Sequence, residues 1–235
     1  MTSPPTRLDQ PCQYHSCPAG SPAYGHNASQ PQLNYVNSYP ATAMKYGIDR
    51  FSPKFFPTRP DLAVAGPNVG SNLGVVIYFS GTVGAATYAA KTGFPTIAFS
   101  GSSGSPTAWN EGTPHYSEVY AELATQVTNR LAASGTPYLP ADVWLNVNFP
   151  EVTDSSCTNA DEFQFVLSRI FPTLAAQDVK TCGSTQLPSE REVVDTSGCY
   201  ASISVGMADK TDANATTQGV VLNKLGNFLT CLPSD

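Results

Sequence analysis

Between Asp61 and Pro150 short apolar runs closed by Gly or Pro alternate with helical stretches, and this alternation constrains the fold more than any other feature. Leu62-Ala63-Val64-Ala65 ends at Gly66-Pro67 and reads as a buried parallel strand followed by a turn. After a Gly-rich loop and the apolar run Val75–Phe79, the segment Thr82–Lys91 carries Ala85, Ala86, Ala89 and Ala90 and stops at Gly93. Alanine is the best helix former, and glycine suits the left-handed position past a helix end. Phe94–Phe99 is the next strand. Thr113 as N-cap and Pro114 as first helical residue then open a helix in which Val119, Leu123, Val127 and Leu131 recur every four residues. Val143–Phe149 is a further strand, ended by Pro150. The order strand–helix–strand–helix–strand predicts an α/β fold, a doubly wound, mostly parallel sheet covered on both faces.

The flanks are less regular. Residues 1–34 form a loop-rich segment with its own cysteine pair, 35–150 the α/β core, and 151–235 a C-terminal hairpin and helix extension, all in one domain of 235 residues. In the extension we expect a helix over Asp161–Ile170, a half-exposed strand through Cys199, Ala201, Ile203 and Val205, and a last helix marked by Val221, Leu225 and Leu229. Charged residues make up 13% of the chain and the net charge is −6. An average soluble protein carries about 25%, so this sparse and acidic surface argues against a partner recognised through backbone phosphates, such as a nucleic-acid polymer. No run approaches the roughly 18–20 apolar residues of a membrane span.

Six cysteines, many loop prolines and the acceptor triplets Asn27-Ala28-Ser29 and Asn214-Ala215-Thr216 suit a secreted protein. Of the 15 pairings that six cysteines allow, we expect Cys12–Cys17, Cys157–Cys182 and Cys199–Cys231. The opening Met1-Thr2-Ser3-Pro4-Pro5 has neither the basic nor the apolar region of a secretion signal.

Chemistry concentrates in one segment. Gly66-Pro67-Asn68-Val69-Gly70-Ser71-Asn72-Leu73-Gly74 spaces three glycines four residues apart around two asparagines, after a strand, where open α/β sheets place ligands. It is neither a Walker loop nor a dinucleotide fingerprint. Asparagine offers a neutral oxygen to a cation and an amide to an anion, although Asn and Gly equally serve a tight turn. Ser80-Gly81-Thr82 opens the alanine-rich helix, where free N–H groups and the helix dipole favour an anion. A plain serine N-cap is the alternative.

Other candidates are weaker. Gly101-Ser102-Ser103-Gly104-Ser105 lacks the spacing of a hydrolase nucleophile elbow, which leaves a serine hydrolase poorly supported. His15, His26 and His115 are too scattered for a metal site, and Asp161, Glu162, Glu190 and Glu192 read as solvated surface charges.

Pro60–Gly74 followed by Tyr78-Phe79-Ser80-Gly81-Thr82-Val83-Gly84-Ala85-Ala86 resembles the signature of the SurE-like phosphatases and nucleotidases. Two further segments keep the family's order. Pro40-Ala41-Thr42 with Tyr46-Gly47 is similar to its Gly-Thr-Pro-Thr-Asp segment, and Leu145-Asn146-Val147-Asn148-Phe149-Pro150 to its Leu-Asn-Ile/Val-Asn-Val-Pro strand. The cysteine-rich body resembles the secreted fungal acid-phosphatase branch. The resemblance implies hydrolysis of small phosphate monoesters with a divalent metal, Mg²⁺ or Mn²⁺, and a homodimer. It assigns phosphate binding to Ser80, Gly81 and Thr82, the substrate side to Asn72 and Gly70, and a metal ligand to Asn68.

The departures matter as much. The family's metal is also held by two consecutive aspartates after its first strand and a serine after its second. This chain has no Asn-Asp-Asp-Gly and no Asp-Asp pair. We therefore expect the first β-α-β unit to be missing, as in a truncated gene model or a shortened paralogue, with exposed backbone and apolar surface on the neighbouring strand. One amide oxygen cannot hold a hard cation, which prefers several oxygens including carboxylates. The rival expectation is a non-catalytic secreted module that binds an anion or serves a structural role.

Overall fold

The computed structural model describes residues 2–173, 175 and 177–233. A small antiparallel ribbon of β1 (Tyr24–His26) and β2 (Asn34–Val36) leads to α1 (Pro40–Tyr46), which continues through a wide turn, Gly47–Phe51, into α2 (Ser52–Phe55). The main sheet is built from β3 (Ala63–Val69), β4 (Thr96–Gly101), β5 (Val143–Phe149), β6 (Gln164–Ser168), β7 (Tyr200–Met207) and β8 (Leu229–Thr230). Its helices are α3 (Gly81–Lys91), α4 (His115–Ala133), α5 (Glu190–Asp195) and α6 (Ala215–Leu225). The strand order is β3-β4-β5-β7-β6-β8. β3, β4 and β5 run parallel, β7 meets β5 antiparallel, and β6 and β8 run parallel to β7. The chain is thus an α/β protein with a mostly parallel sheet, and its C-terminal strands enter that same sheet.

Side-chain alternation gives the sheet two unlike faces. On one, Ile97, Phe99, Leu145, Val147, Phe149, Leu167, Ala201 and Ile203 are buried beneath Leu123, Val127 and Leu131 of α4 and Val221 and Leu225 of α6. Each of the larger side chains contributes about 1.5–3 kcal/mol by leaving water. The opposite face is small and polar. Ala98 and Trp144 lie there under Val83, Ala86 and Ala90 of α3, and beyond them run Ser100, Asn146, Asn148, Ser202, Ser204 and Ser168, all buried. β3 pairs with β4 alone and forms a sheet edge among the described residues, with Val64 49% and Val69 47% exposed.

Four expectations need correction. The last helix stops at Leu225, before Gly226 at φ +53°, and Leu229 lies in β8 instead. Asp161–Ile170 is no helix: a short turn, Ala160–Glu162, is followed by β6. Phe165, Val166 and Leu167 are consecutive and all buried because β6 has strands on both sides and covered faces. β7 is buried rather than half-exposed, since the serines alternating with its apolar residues face the polar row and not solvent. Helix α4 begins one residue later than expected, with Pro114 at its cap and no side-chain cap bond.

Cysteine pairing also differs. Cys12–Cys17 forms as expected, but the other bonds are Cys157–Cys199 and Cys182–Cys231. Chain order misleads here because β7 inserts between β5 and β6. That insertion brings Cys199, at its start, beside the loop after β5, and leaves Cys182 to meet the segment after β8.

An ion network closes the C-terminal loops. Arg169 binds both carboxylate oxygens of Asp178 at 2.8 Å and Asp212 at 3.2 Å. Asp178 also accepts from the Leu187 N–H and the Gln218 amide on α6. No described helix is long and apolar enough to cross a membrane. Removing one partner of a buried ion pair leaves the other uncompensated, so Asp178→Ala is expected to destabilise the chain by about 3 kcal/mol, read from the urea midpoint.

Candidate functional site

The Gly-rich segment begins inside β3, where the register slips between Ala65 and Asn68, and is shaped by close backbone approach. Gly66 has φ +98°, and a Cβ there would run into the Phe99 carbonyl of β4, so only glycine fits. Gly70, at φ +103°, donates its N–H to Gly101 O at 2.9 Å. The chain then turns inward and buries Asn72, which is 4% exposed.

Asn72 is held on all sides. Its N–H donates to Asn148 Oδ1 at 2.8 Å, and its carbonyl accepts from Asn146 Nδ2 at 2.9 Å and Asn148 Nδ2 at 3.4 Å. Its own amide donates to Ser100 Oγ on β4. Asn146 and Asn148 lie two apart in β5 and therefore share one face. That is the physical content of the Leu-Asn-Val-Asn segment, whose part in the site could not be read from sequence. The clue was two asparagines at strand spacing inside an otherwise apolar run.

Glu190 was missed outright, since it was expected to be a solvated charge. It is fully buried. One carboxyl oxygen accepts from Asn146 Nδ2 at 2.6 Å and the other from the Gly74 N–H at 3.2 Å. Ser204 lies on the same polar face, its Oγ 2.7 Å from Ser168 Oγ. Burial pushes the Glu190 pKa up from 4.5 to about 8, against the lowering effect of its hydrogen bonds. Asn146 Oδ1 and Ser202 Oγ are buried without a partner among the described residues, so this polar row has bonding capacity left over.

The remaining candidates lie apart from this cluster. Ser80 caps α3, its Oγ accepting from the Val83 N–H at 3.1 Å. The first N–H groups of α3, on Gly81 and Thr82, have no partner within the helix. Gly81 is packed so closely on Pro40 that a Cβ would stand 2.7 Å from its Cγ, which seats the start of α1 beside the start of α3. Thr82 is half-buried. Asn68 folds back on its own turn, donating to Val69 O at 3.0 Å and Gly70 O at 2.9 Å, and makes no hydrogen bond to Asn72 or Ser80. His115 is exposed and bonded to Thr158 O at 2.7 Å.

Asn68 thus has one amide oxygen to give. Among the described residues no group of three His, Cys, Asp or Glu side chains could hold a metal ion. Hard divalent cations need several oxygen ligands. The described residues therefore do not fit a divalent metal by themselves. What they can do is bind an anion, with the dipole of α3 worth roughly half a positive charge at its start.

The sequence model of the family described as survival protein SurE matches residues 7–169. An acid phosphatase of Yarrowia lipolytica is 33% identical over 235 residues, covering 87% of this chain and 65% of that protein. A 5'-nucleotidase SurE of Pelobacter propionicus is 38% identical over 116 residues, covering 49% of this chain and 41% of that one. The chain spans less than two thirds of the length of these relatives. Among solved structures, the SurE protein of Aquifex aeolicus shares the fold at a TM-score of 0.53 and 20% identity, covering 85% of this chain and 78% of that one.

A carboxyl that titrates near 4.5 when unfolded and at about 8 when folded is bound more tightly to its proton in the fold. Its stabilising contribution is complete below the unfolded value and lost as pH rises through the folded one. Chemical denaturation across that range is expected to show stability falling with rising pH, and Glu190→Gln is expected to remove most of the slope.

Proposed function

The chain belongs to the SurE family, and from that membership we propose that it acts in the hydrolysis of small phosphate monoesters, of the acid-phosphatase or nucleotidase type. The observation that carries this reading is the start of α3: free N–H groups on Gly81 and Thr82 behind the Ser80 cap, in the segment through which the chain resembles its relatives. A phosphoryl dianion seated there would accept from both N–H groups and from the Thr82 hydroxyl. Ser80 Oγ accepts from Val83 and keeps its own proton to donate. As negative charge shifts toward the leaving oxygen, these fixed dipoles stabilise it without having to reorient. On this reading Gly70 and Asn72 belong to the substrate side, and β4 and β5 hold the segment that carries them.

A divalent metal would supply Lewis acidity, and Asn68 can offer it one oxygen. With no carboxylate beside that oxygen, the described residues alone orient and bind the anion rather than split it. The same observation favours a second reading, in which this chain binds phosphate without turning it over. Three disulfides support maturation in an oxidising, secretory setting.

Thr82→Asp separates the site from the fold, because an acidic residue in a first helical turn stabilises the helix while repelling a dianion. Calorimetric titration with inorganic phosphate is expected to show binding weakened at least about tenfold in the variant, with melting temperature unchanged or raised. Phosphomonoester hydrolysis measured with Mn²⁺ or Mg²⁺ is expected to fall in step. Unchanged phosphate affinity in Thr82→Asp would contradict the assignment, and wild-type binding without turnover would select the second reading.

A further inference from the structure

Glu190 has no evident duty to its own helix. Ser189 caps α5, and Glu192 closes the capping box with it, so the first turn is satisfied without Glu190. Arg191 and Glu192 are exposed, whereas Glu190 turns inward together with Val193. Burying a carboxyl is costly, and an apolar or small residue would fill the space more cheaply. The one backbone group that the carboxyl satisfies is the Gly74 N–H, at the far end of the Gly-rich turn and 116 residues away in sequence.

We propose that Glu190 is a positioning residue for the phosphate site: its carboxyl clamps the Gly74 N–H to the Asn146 amide and so fixes the turn that carries Gly70 and Asn72. The proposal rests on reading that turn and the start of α3 as the phosphate site. Asn146 is the shared element, since its amide also donates to the Asn72 carbonyl. Loss of the carboxyl would leave the Gly74 N–H and one Asn146 donor unpaired, and the turn would keep its anchors at Gly70 and Asn72 but lose the one at its far end.

Both contacts of the clamp are N–H donations into the carboxyl, and they oppose the burial that raises its pKa. The groups facing it from β5, β7 and the turn, Asn146, Ser204 and Gly74, are all neutral. Asp212, on the segment after β7, adds a like charge that opposes ionisation. Arg169 offers no relief, being committed to Asp178 and Asp212.

The test uses the full chain with Glu190→Ala and Glu190→Gln. Two quantities are read: hydrogen exchange at the Gly74 and Asn72 amides, and affinity for inorganic phosphate. Glu190→Ala is expected to lose at least about tenfold in both. Glu190→Gln keeps one acceptor oxygen and turns an NH2 group toward the other donor, so it is expected to rescue part of that loss and not all of it. Wild-type protection and affinity in Glu190→Ala would overturn the clamp. Should that variant not fold, wild-type exchange and affinity in Glu190→Gln would overturn it instead. A wild-type chain that binds no phosphate contradicts the reading of the site, while exchange at Gly74 still decides the clamp.

Discussion

Both backbone polar groups of Asn72 are taken up by asparagine side chains of β5, and the geometry of the candidate site depends on that closure. A turn entering a protein interior carries N–H and C=O groups that cost about 1–3 kcal/mol each when left unpaired. Loops normally avoid the cost by staying at the surface. Here the interior is made to receive one. Asn146 and Asn148 stand one strand step apart on the face where Asn72 arrives, and Ser100 on β4 takes its side-chain amide. The turn from Gly66 to Gly74 is therefore set by the sheet, and the chain leaves it at a defined point to begin α3.

The two faces of the sheet divide the labour. The face beneath α4 and α6 is close-packed hydrocarbon and supplies stability. The face beneath α3 and α5 trades hydrocarbon for serine and asparagine, which lowers what burial alone can contribute but gives direction. Small alanines on α3 let that helix lie low on this face, so its N-terminus comes down near the strand ends. This is where open α/β sheets collect ligands. On the proposed reading, the polar row is what the site costs the fold, and the apolar face is what sustains it.

How far sequence alone reached follows from how local each signal was. β3, α3, α4 and β5 were legible because each carries its own period and its own Gly or Pro stop. The resemblance rested on the same stretch, from Pro60 to Ala86. Beyond Pro150 the signals are relational. Phe165-Val166-Leu167 reads as helix or strand until its neighbours are known, and β7 alternates apolar and polar residues as an exposed strand would, although its serines are buried. Glu190 follows a serine at a helix start, the usual setting of a solvated carboxylate. Only the tertiary approach of Gly74 and Asn146 makes it interior. The cysteine pairs failed for the same reason, since nearness in sequence stood in for a strand order that β7 interrupts. Ser80 opens α3 as expected, whereas Asn68, expected in a loop, lies in β3 beyond a bulge; the side-chain contacts of both are local, a helix cap and a folded-back amide.

The account stands on one claim, that a phosphoryl group sits at the start of α3 against a turn held by β5. Amide chemical shifts of the ¹⁵N-labelled chain, followed during titration with inorganic phosphate, test it directly. The predicted result is saturable movement centred on the Gly81 and Thr82 N–H signals, with smaller changes at Gly70 and Asn72. Shifts that map elsewhere, or none at these four residues while phosphate binds, would contradict it.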